Sequence, residues 1–344
     1  MAARAFISGL ASTELSPAER AFLREAEPWG MILFKRNIEN PQQVRRLTAS
    51  IREALTCDAP ILVDQEGGRI QRLGPPHWPL YPAASIYGHL YGEDAAIGCR
   101  AAYLGARVIA ADLAAVGIDV DCLPIADLAV KGADGVIGDR AYGESAATIG
   151  ALAQSVAKGL LDHGVLPVLK HIPGHGRARA DSHFELPVVD SDRATLMATD
   201  FAAFAPLFDL PLGMSAHVVY TAIDPLAPAT TSVTVVRDVI RGVLQFRGLL
   251  MSDDISMGAL SGSITDRSQA ALAAGCDVIL HCNGRVEEME QVAAAVPAVT
   301  GEAAVRAQRA LALRHLASAA DISELRTEWT ELLQKTREAR SASS

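Results

Sequence analysis

Residues 166–183 read LPVLKHIPGHGRARADSH. The apolar run LPVLK leads straight into a lysine–histidine pair, Pro173, Gly174 and Gly176 then turn the chain, and Asp181-Ser182-His183 closes the stretch. A short apolar run bounded by turn residues suits a strand buried on both faces, as in a parallel sheet. Its charged end matters because the pattern recurs along the chain.

Seven more runs have the same character: AFISG (5–9), GMILF (30–34), PILVD (60–64), IDVDCL (118–123), LGMSA (212–216), GLLMS (248–252) and DVILH (277–281). Longer amphipathic stretches separate them. Ser16-Pro17-Ala18-Glu19 is a capping box with Pro at the first helical position, and Asn40-Pro41 opens the next stretch in a similar way. Eight strands alternating with helices predict an α/β chain folded as a (β/α)8 TIM barrel. A doubly wound open sheet would usually need a G-x-G-x-x-G turn after an early strand, and none is present. No linker divides the chain, so residues 1–335 are expected to form one catalytic domain, with 336–344 as a frayed tail.

In such a barrel the chemistry sits at the C-terminal strand ends. Reading past each run gives Lys35 and Arg36, Asp64 with Gln65 and Glu66, then Asp121. The later runs give Lys170 with His171, His217, Asp253 with Asp254, and His281 with Asn283. Charges grouped this densely are costly unless they meet a ligand or one another. Strand alternation would aim only one of Asp253 and Asp254 at the mouth, and it does not say which.

Composition narrows the function. Of 344 residues, 50% are hydrophobic, and the net charge is −9. That charge would be repelled by nucleic acid or an anionic membrane, so neither is expected as a partner. The five cysteines lack C-x-x-C spacing, which indicates neither a disulfide framework nor structural zinc. No signal peptide or run of membrane-spanning length is visible, so a cytoplasmic protein is expected. The oligomeric state is not legible.

The opening stretch holds three of the nine histidines. Metal binding fits poorly: glycines and a proline keep His171 and His175 off a common helix, and His183 lies further on. A phosphate loop would need G-K-[ST], which is missing. Lys170 at a strand end could instead serve as an aldolase nucleophile if burial lowered its pKa. In a fourth reading, Asp181 and His183 point the same way from an extended segment, and the carboxylate orients the imidazole for acid–base work.

ILVDQEGGRIQRL (61–73), IGDRAYG (137–143), VLKHIPGHGRARADSHFELP (168–187), MSAHVVY (214–220) and MSDDISMGAL (251–260) follow one another in a familiar order. Together they resemble glycoside hydrolase family 3, in particular its single-domain bacterial β-N-acetylglucosaminidase branch. The resemblance implies retaining hydrolysis of terminal β-linked N-acetylglucosamine without metal or organic cofactor. It assigns the nucleophile to Asp253 and the acid/base to His183 assisted by Asp181. Asp64, Arg72, Arg140, Lys170 and His171 match its substrate-binding positions, while His175 reads as loop geometry. The implied substrate is a small carbohydrate or glycopeptide, an anhydromuramyl peptide of cell-wall recycling. Arg177 and Arg179 depart from the pattern and are expected to attract an acidic aglycone. Two alternatives remain at this point: a phosphorylase on the same site, and a sugar-binding protein without catalysis.

Overall fold

The computed structural model describes residues 3–314 and 321–341. Eight parallel strands close into one barrel: β1 (Arg4–Ser8), β2 (Pro28–Leu33), β3 (Ile61–Val63), β4 (Val120–Asp121), β5 (Leu166–Ile172), β6 (Leu212–Ser215), β7 (Leu249–Asp254) and β8 (Val278–His281). Each pairs with its neighbours in sequence, and β8 closes on β1 with Ile279 opposite Phe6. The expected (β/α)8 barrel is the observed fold, and every apolar run overlaps one of its strands.

Helices α1 (Pro17–Ala26) and α2 (Pro41–Leu55) connect the first three strands. Ser16 Oγ accepts the Glu19 N–H at 3.1 Å while Glu19 Oε2 accepts the Ser16 N–H at 2.8 Å, so the capping box read from sequence is formed. Asn40 caps α2 by accepting the Gln43 N–H at 2.9 Å. Caps of this kind contribute about 1 kcal/mol each. Along α2, Val44, Leu47, Ile51 and Leu55 recur at helical spacing and are buried against the barrel. Each such side chain contributes roughly 1.5–3 kcal/mol on burial.

Helices α3 (Ala84–Glu93), α4 (Ala95–Ala114) and α5 (Ala146–Leu161) flank β4, and the short α6 (Arg193–Ala198) and α7 (Asp200–Phe204) follow β5. A π-helical segment, Val235–Val243, precedes β7. Then come α8 (Ile264–Ala274), α9 (Val286–Ala295), α10 (Gly301–Leu311) and α11 (Ile322–Ser341). The helix of α11 reaches into the expected tail, and residues 342–344 lie outside the described residues. No described helix is long and apolar enough to cross a membrane.

The C-terminal ends of three strands differ from the sequence reading by two residues each, for local reasons. β4 keeps only two residues of the run 118–123, because the Leu123 N–H turns back to Asp121 O at 2.7 Å and Pro124 has no N–H to continue the ladder. β5 and β7 instead run further than expected, to Ile172 and Asp254. Both lose regular register at their ends, between Leu169 and Ile172 and between Met251 and Asp254. Such irregularities re-aim side chains, and these two lie at the barrel mouth.

Candidate active site

A cavity of about 350 Å3 opens at the C-terminal ends of the strands. Asp64, Arg72, Arg140, Lys170, His171, His183 and Asp253 all line it. Residues from four separate segments, chosen from sequence, therefore converge on one concave site. Asp181 does not line the cavity; it stands behind His183 and touches it.

One wall is a chain of alternating charges. Arg72 meets Asp64 Oδ2 at 3.0 Å, and Asp64 Oδ1 accepts from Lys170 Nζ at 2.8 Å. Lys170 also meets Glu66 Oε1 at 2.7 Å, and Glu66 takes a two-point contact from Arg140 at 2.9 Å for each bond. Burial would raise the Asp64 carboxyl, but the charges of Lys170 and Arg72 outweigh it and hold the group far below the usual carboxylate range. Burial likewise opposes the charged Lys170, yet Asp64 and Glu66 push its ammonium well above its ordinary value. A Schiff-base lysine needs the opposite shift, so the aldolase reading is set aside. What remains is a rigid array of ionic donors and acceptors, the kind that grips vicinal hydroxyls with paired hydrogen bonds.

Glu66 was read only as a strand-end charge, and sequence reasoning gave it no role at the site. It is buried and central to this network. Asp127 was missed altogether. Its Oδ2 accepts from His171 Nδ1 at 2.6 Å, and its Oδ1 accepts the His175 N–H at 2.5 Å. Burial would raise Asp127, but His171 and His175 bring it below the usual range, so the carboxylate fixes the His171 tautomer with Nε2 free. No sequence spacing links Asp127 to His171, 44 residues away; only the fold pairs them.

Across the cavity, the Asp181–His183 pair is formed: His183 Nδ1 donates to Asp181 Oδ1 at 2.6 Å, leaving Nε2 unengaged. The loop that carries it is docked on the turn after β7. Gly258 N donates to His183 O at 3.0 Å, and Ala259 N to Ser182 O at 3.2 Å. Gly258 permits this close approach, since a Cβ there would stand 2.6 Å from Phe184 O. Gly174 adopts φ +139°, and Gly176 lies where a Cβ would meet Leu128 O at 2.1 Å, so both glycines are required by the turn.

Contrary to strict strand alternation, Asp253 and Asp254 both line the cavity, because β7 slips register there. Their carboxylates differ in partners. Asp254 accepts from Ser256 N at 3.0 Å, Ser256 Oγ at 2.7 Å and Cys282 N at 3.1 Å, and is therefore tied into the loop. Asp253 accepts the Asp254 N–H at 2.8 Å on Oδ1. Burial would raise it, but His217 and His171 together with that N–H bring it below the ordinary carboxylate value, so it stands ionised.

Of the other strand-end residues, Arg36 and Asn283 also line the cavity, whereas Asp121, His217 and His281 do not. Asp121 is wholly buried, and burial pushes its carboxyl well up. His217 is buried, donating Nε2–H to the Asp254 carbonyl at 3.0 Å, while His281 contacts Glu288 at 3.1 Å. Arg177 faces α7, bonding Asp200 at 2.6 Å and Thr199 at 2.9 Å, so its expected role toward an acidic aglycone is not supported. The three histidines of the opening stretch bond Asp127, Ser182 and Asp181 respectively.

Comparison with known proteins identifies the family. The Glycosyl hydrolase family 3 N terminal domain matches residues 7–313. The chain is 40% identical over 279 residues to the beta-hexosaminidase of Alkalilimnicola ehrlichii, covering 80% of this chain and 79% of that one. It is 38% identical over 307 residues to the beta-hexosaminidase of Chromobacterium violaceum, covering 88% and 84%. Among solved structures, NagZ from Neisseria gonorrhoeae in complex with N-trifluoroacetyl-D-glucosamine superposes with a TM-score of 0.87 at 29% identity, over 97% of this chain and 98% of that one. A match that spans nearly the whole barrel, with relatives of this identity along most of its length, places the protein in glycosyl hydrolase family 3 as a glycosidase.

Proposed function

We propose that the protein is an exo-acting β-N-acetylglucosaminidase that works by double displacement with retention. The observation that carries this reading is the pairing of two groups on one cavity: an ionised Asp253 and a His183 whose Nδ1 is held by Asp181. The names of the beta-hexosaminidase relatives and the N-acyl glucosamine in the Neisseria structure support the sugar.

In the first step an Asp253 oxygen bonds to the anomeric carbon as the glycosidic C–O bond breaks. His183 Nε2–H passes its proton to the leaving oxygen. In the second step water attacks the same carbon, its proton goes to His183 Nε2, and the Asp253 ester bond breaks. Two inversions give net retention. Asp181 keeps the proton-carrying nitrogen facing the substrate and stabilises the imidazolium that donates in the first step and is restored by the proton from water in the second. Asp64, Arg72, Lys170 and His171 grip the sugar hydroxyls, with Arg140 bracing the wall through Glu66. No metal or organic cofactor enters the scheme.

The biological substrate we infer is a glycopeptide fragment of the cell wall, an anhydromuramyl peptide that loses its N-acetylglucosamine in the cytoplasm during recycling. Phosphorolysis draws no support from the relatives, which carry hydrolase names. Chromophore release from an N-acetyl-β-glucosaminide, with and without phosphate, tests the reading. Turnover independent of phosphate is expected. Selective turnover of a plain β-glucoside, or a phosphate-dependent rate yielding sugar 1-phosphate, would contradict it.

A further inference from the structure

The middle histidine of the opening stretch has no part in the chemistry above, yet it is one of the most enclosed polar side chains of the site. His175 is 3% exposed and lines the cavity. Its backbone N–H is fixed by Asp127 Oδ1 at 2.5 Å, on the carboxylate that also holds His171. Its ring packs edge-on against His171, with centroids 5.8 Å apart. Its Nε2 hydrogen-bonds Ser182 Oγ at 3.0 Å, and Ser182 is the buried central residue between Asp181 and His183. The other ring nitrogen, Nδ1, is buried with no partner among the described residues.

A buried nitrogen without a partner costs roughly 1–3 kcal/mol. A leucine or methionine would fill the same space without that cost, so the imidazole gains its place through the one bond it makes. That bond reaches the acid/base loop. The loop's backbone is held from the opposite side by Gly258 and Ala259, which makes His175 the side-chain half of a two-sided grip.

We propose that His175 is a positioning residue for His183: anchored by Asp127, it holds Ser182 and thereby sets the reach of the acid/base imidazole toward the leaving oxygen. The same anchor links the sugar-binding His171 to the proton-transfer loop, so the two halves of the site are held in register by one carboxylate. Burial, with His171 adding to it, brings the His175 pKa down to about 4. The ring is therefore neutral at ordinary pH and stays out of the proton traffic it supports.

This role rests on the proposed hydrolase mechanism, and the test separates the two. His175→Ala and Ser182→Ala are each assayed for kcat/KM on two N-acetyl-β-glucosaminides. One carries dinitrophenol, which departs without a proton; the other carries p-methoxyphenol, which needs one. Both variants are expected to lose tenfold or more on the methoxyphenyl substrate and less than about threefold on the dinitrophenyl one, since general acid help is worth about 10²–10⁴ only where it is needed. The double variant should lose no more than the worse single one. Equal losses on both substrates, or no loss on either, would overturn the assignment. If His175→Ala fails to fold, Ser182→Ala, which removes one hydroxyl, decides alone. Failure of the unsubstituted protein on both substrates would count against the hydrolase reading instead.

Discussion

At the scale of single residues, the site is held by charges that satisfy one another before any sugar arrives. Glu66 lies between Lys170 and Arg140, and both contacts are buried. Removing one partner of a buried pair costs about 3–5 kcal/mol, because the remaining charge is left uncompensated. Glu66→Ala should therefore lower the unfolding free energy by about that amount in denaturant titrations at pH 7. The sign of the pH effect follows from the carboxyls. Asp64 and Glu66 are held below their unfolded values, which lie near 4. Their contribution is fully present above that value and is lost as pH falls through the folded one. The gap between Glu66→Ala and the unsubstituted protein should narrow below about pH 4; a gap that widens on acidification would contradict the network. Lys170, Asp64 and His171 were legible in sequence because they stand at a strand end or carry a family motif. The roles of Glu66 and Asp127 were not, because Glu66 showed only as a strand-end charge and Asp127 stands in none of the motifs, and only folding brings them to Arg140 and His171.

At the scale of elements, strand periodicity located all eight strands, because runs buried on both faces leave a plain apolar signal. It failed where the ladder slips. Alternation assumes regular pairing, and the ends of β5 and β7 are irregular at Lys170–His171 and Asp253–Asp254. Gly174 and Gly176 are the turn formers their sequence context predicts; the need for glycine at 258 is invisible in sequence because its reason lies in another loop. A methyl group at Gly258 would press on the carbonyls of His183 and Phe184. Gly258→Ala should therefore shift the acid/base loop and lower kcat on the methoxyphenyl substrate by about 10–100-fold, as misplacements near 1 Å do. Its thermal midpoint should change little, since the loop can yield. An unchanged kcat would show that the docking seen here does not govern proton transfer.

At the scale of the whole molecule, the barrel presents its chemistry at one end and is braced along its side by α11. Trp329 is buried there, its ring centroid 5.8 Å from that of Tyr81 with the planes tilted by 44°, and it donates Nε1–H to Tyr87 OH at 3.3 Å. Arg326 adds an ion pair with Asp112 at 2.9 Å. If residues 1–335 form one cooperative unit, Trp329→Ala should cost about 3–5 kcal/mol and keep a single unfolding transition. Two separate transitions would divide α11 from the barrel. Composition and charge bounded this molecule but did not reveal its reaction, which came from strand ends, motifs and the cavity they share. The central claim is that Asp253 forms a covalent bond to the sugar while His183 manages the proton. It is tested most directly by trapping with a fluorinated N-acetylglucosaminyl fluoride, followed by peptide mass spectrometry. The expected result is a single glycosyl adduct on Asp253. An adduct on Asp254 or any other carboxylate would contradict the claim.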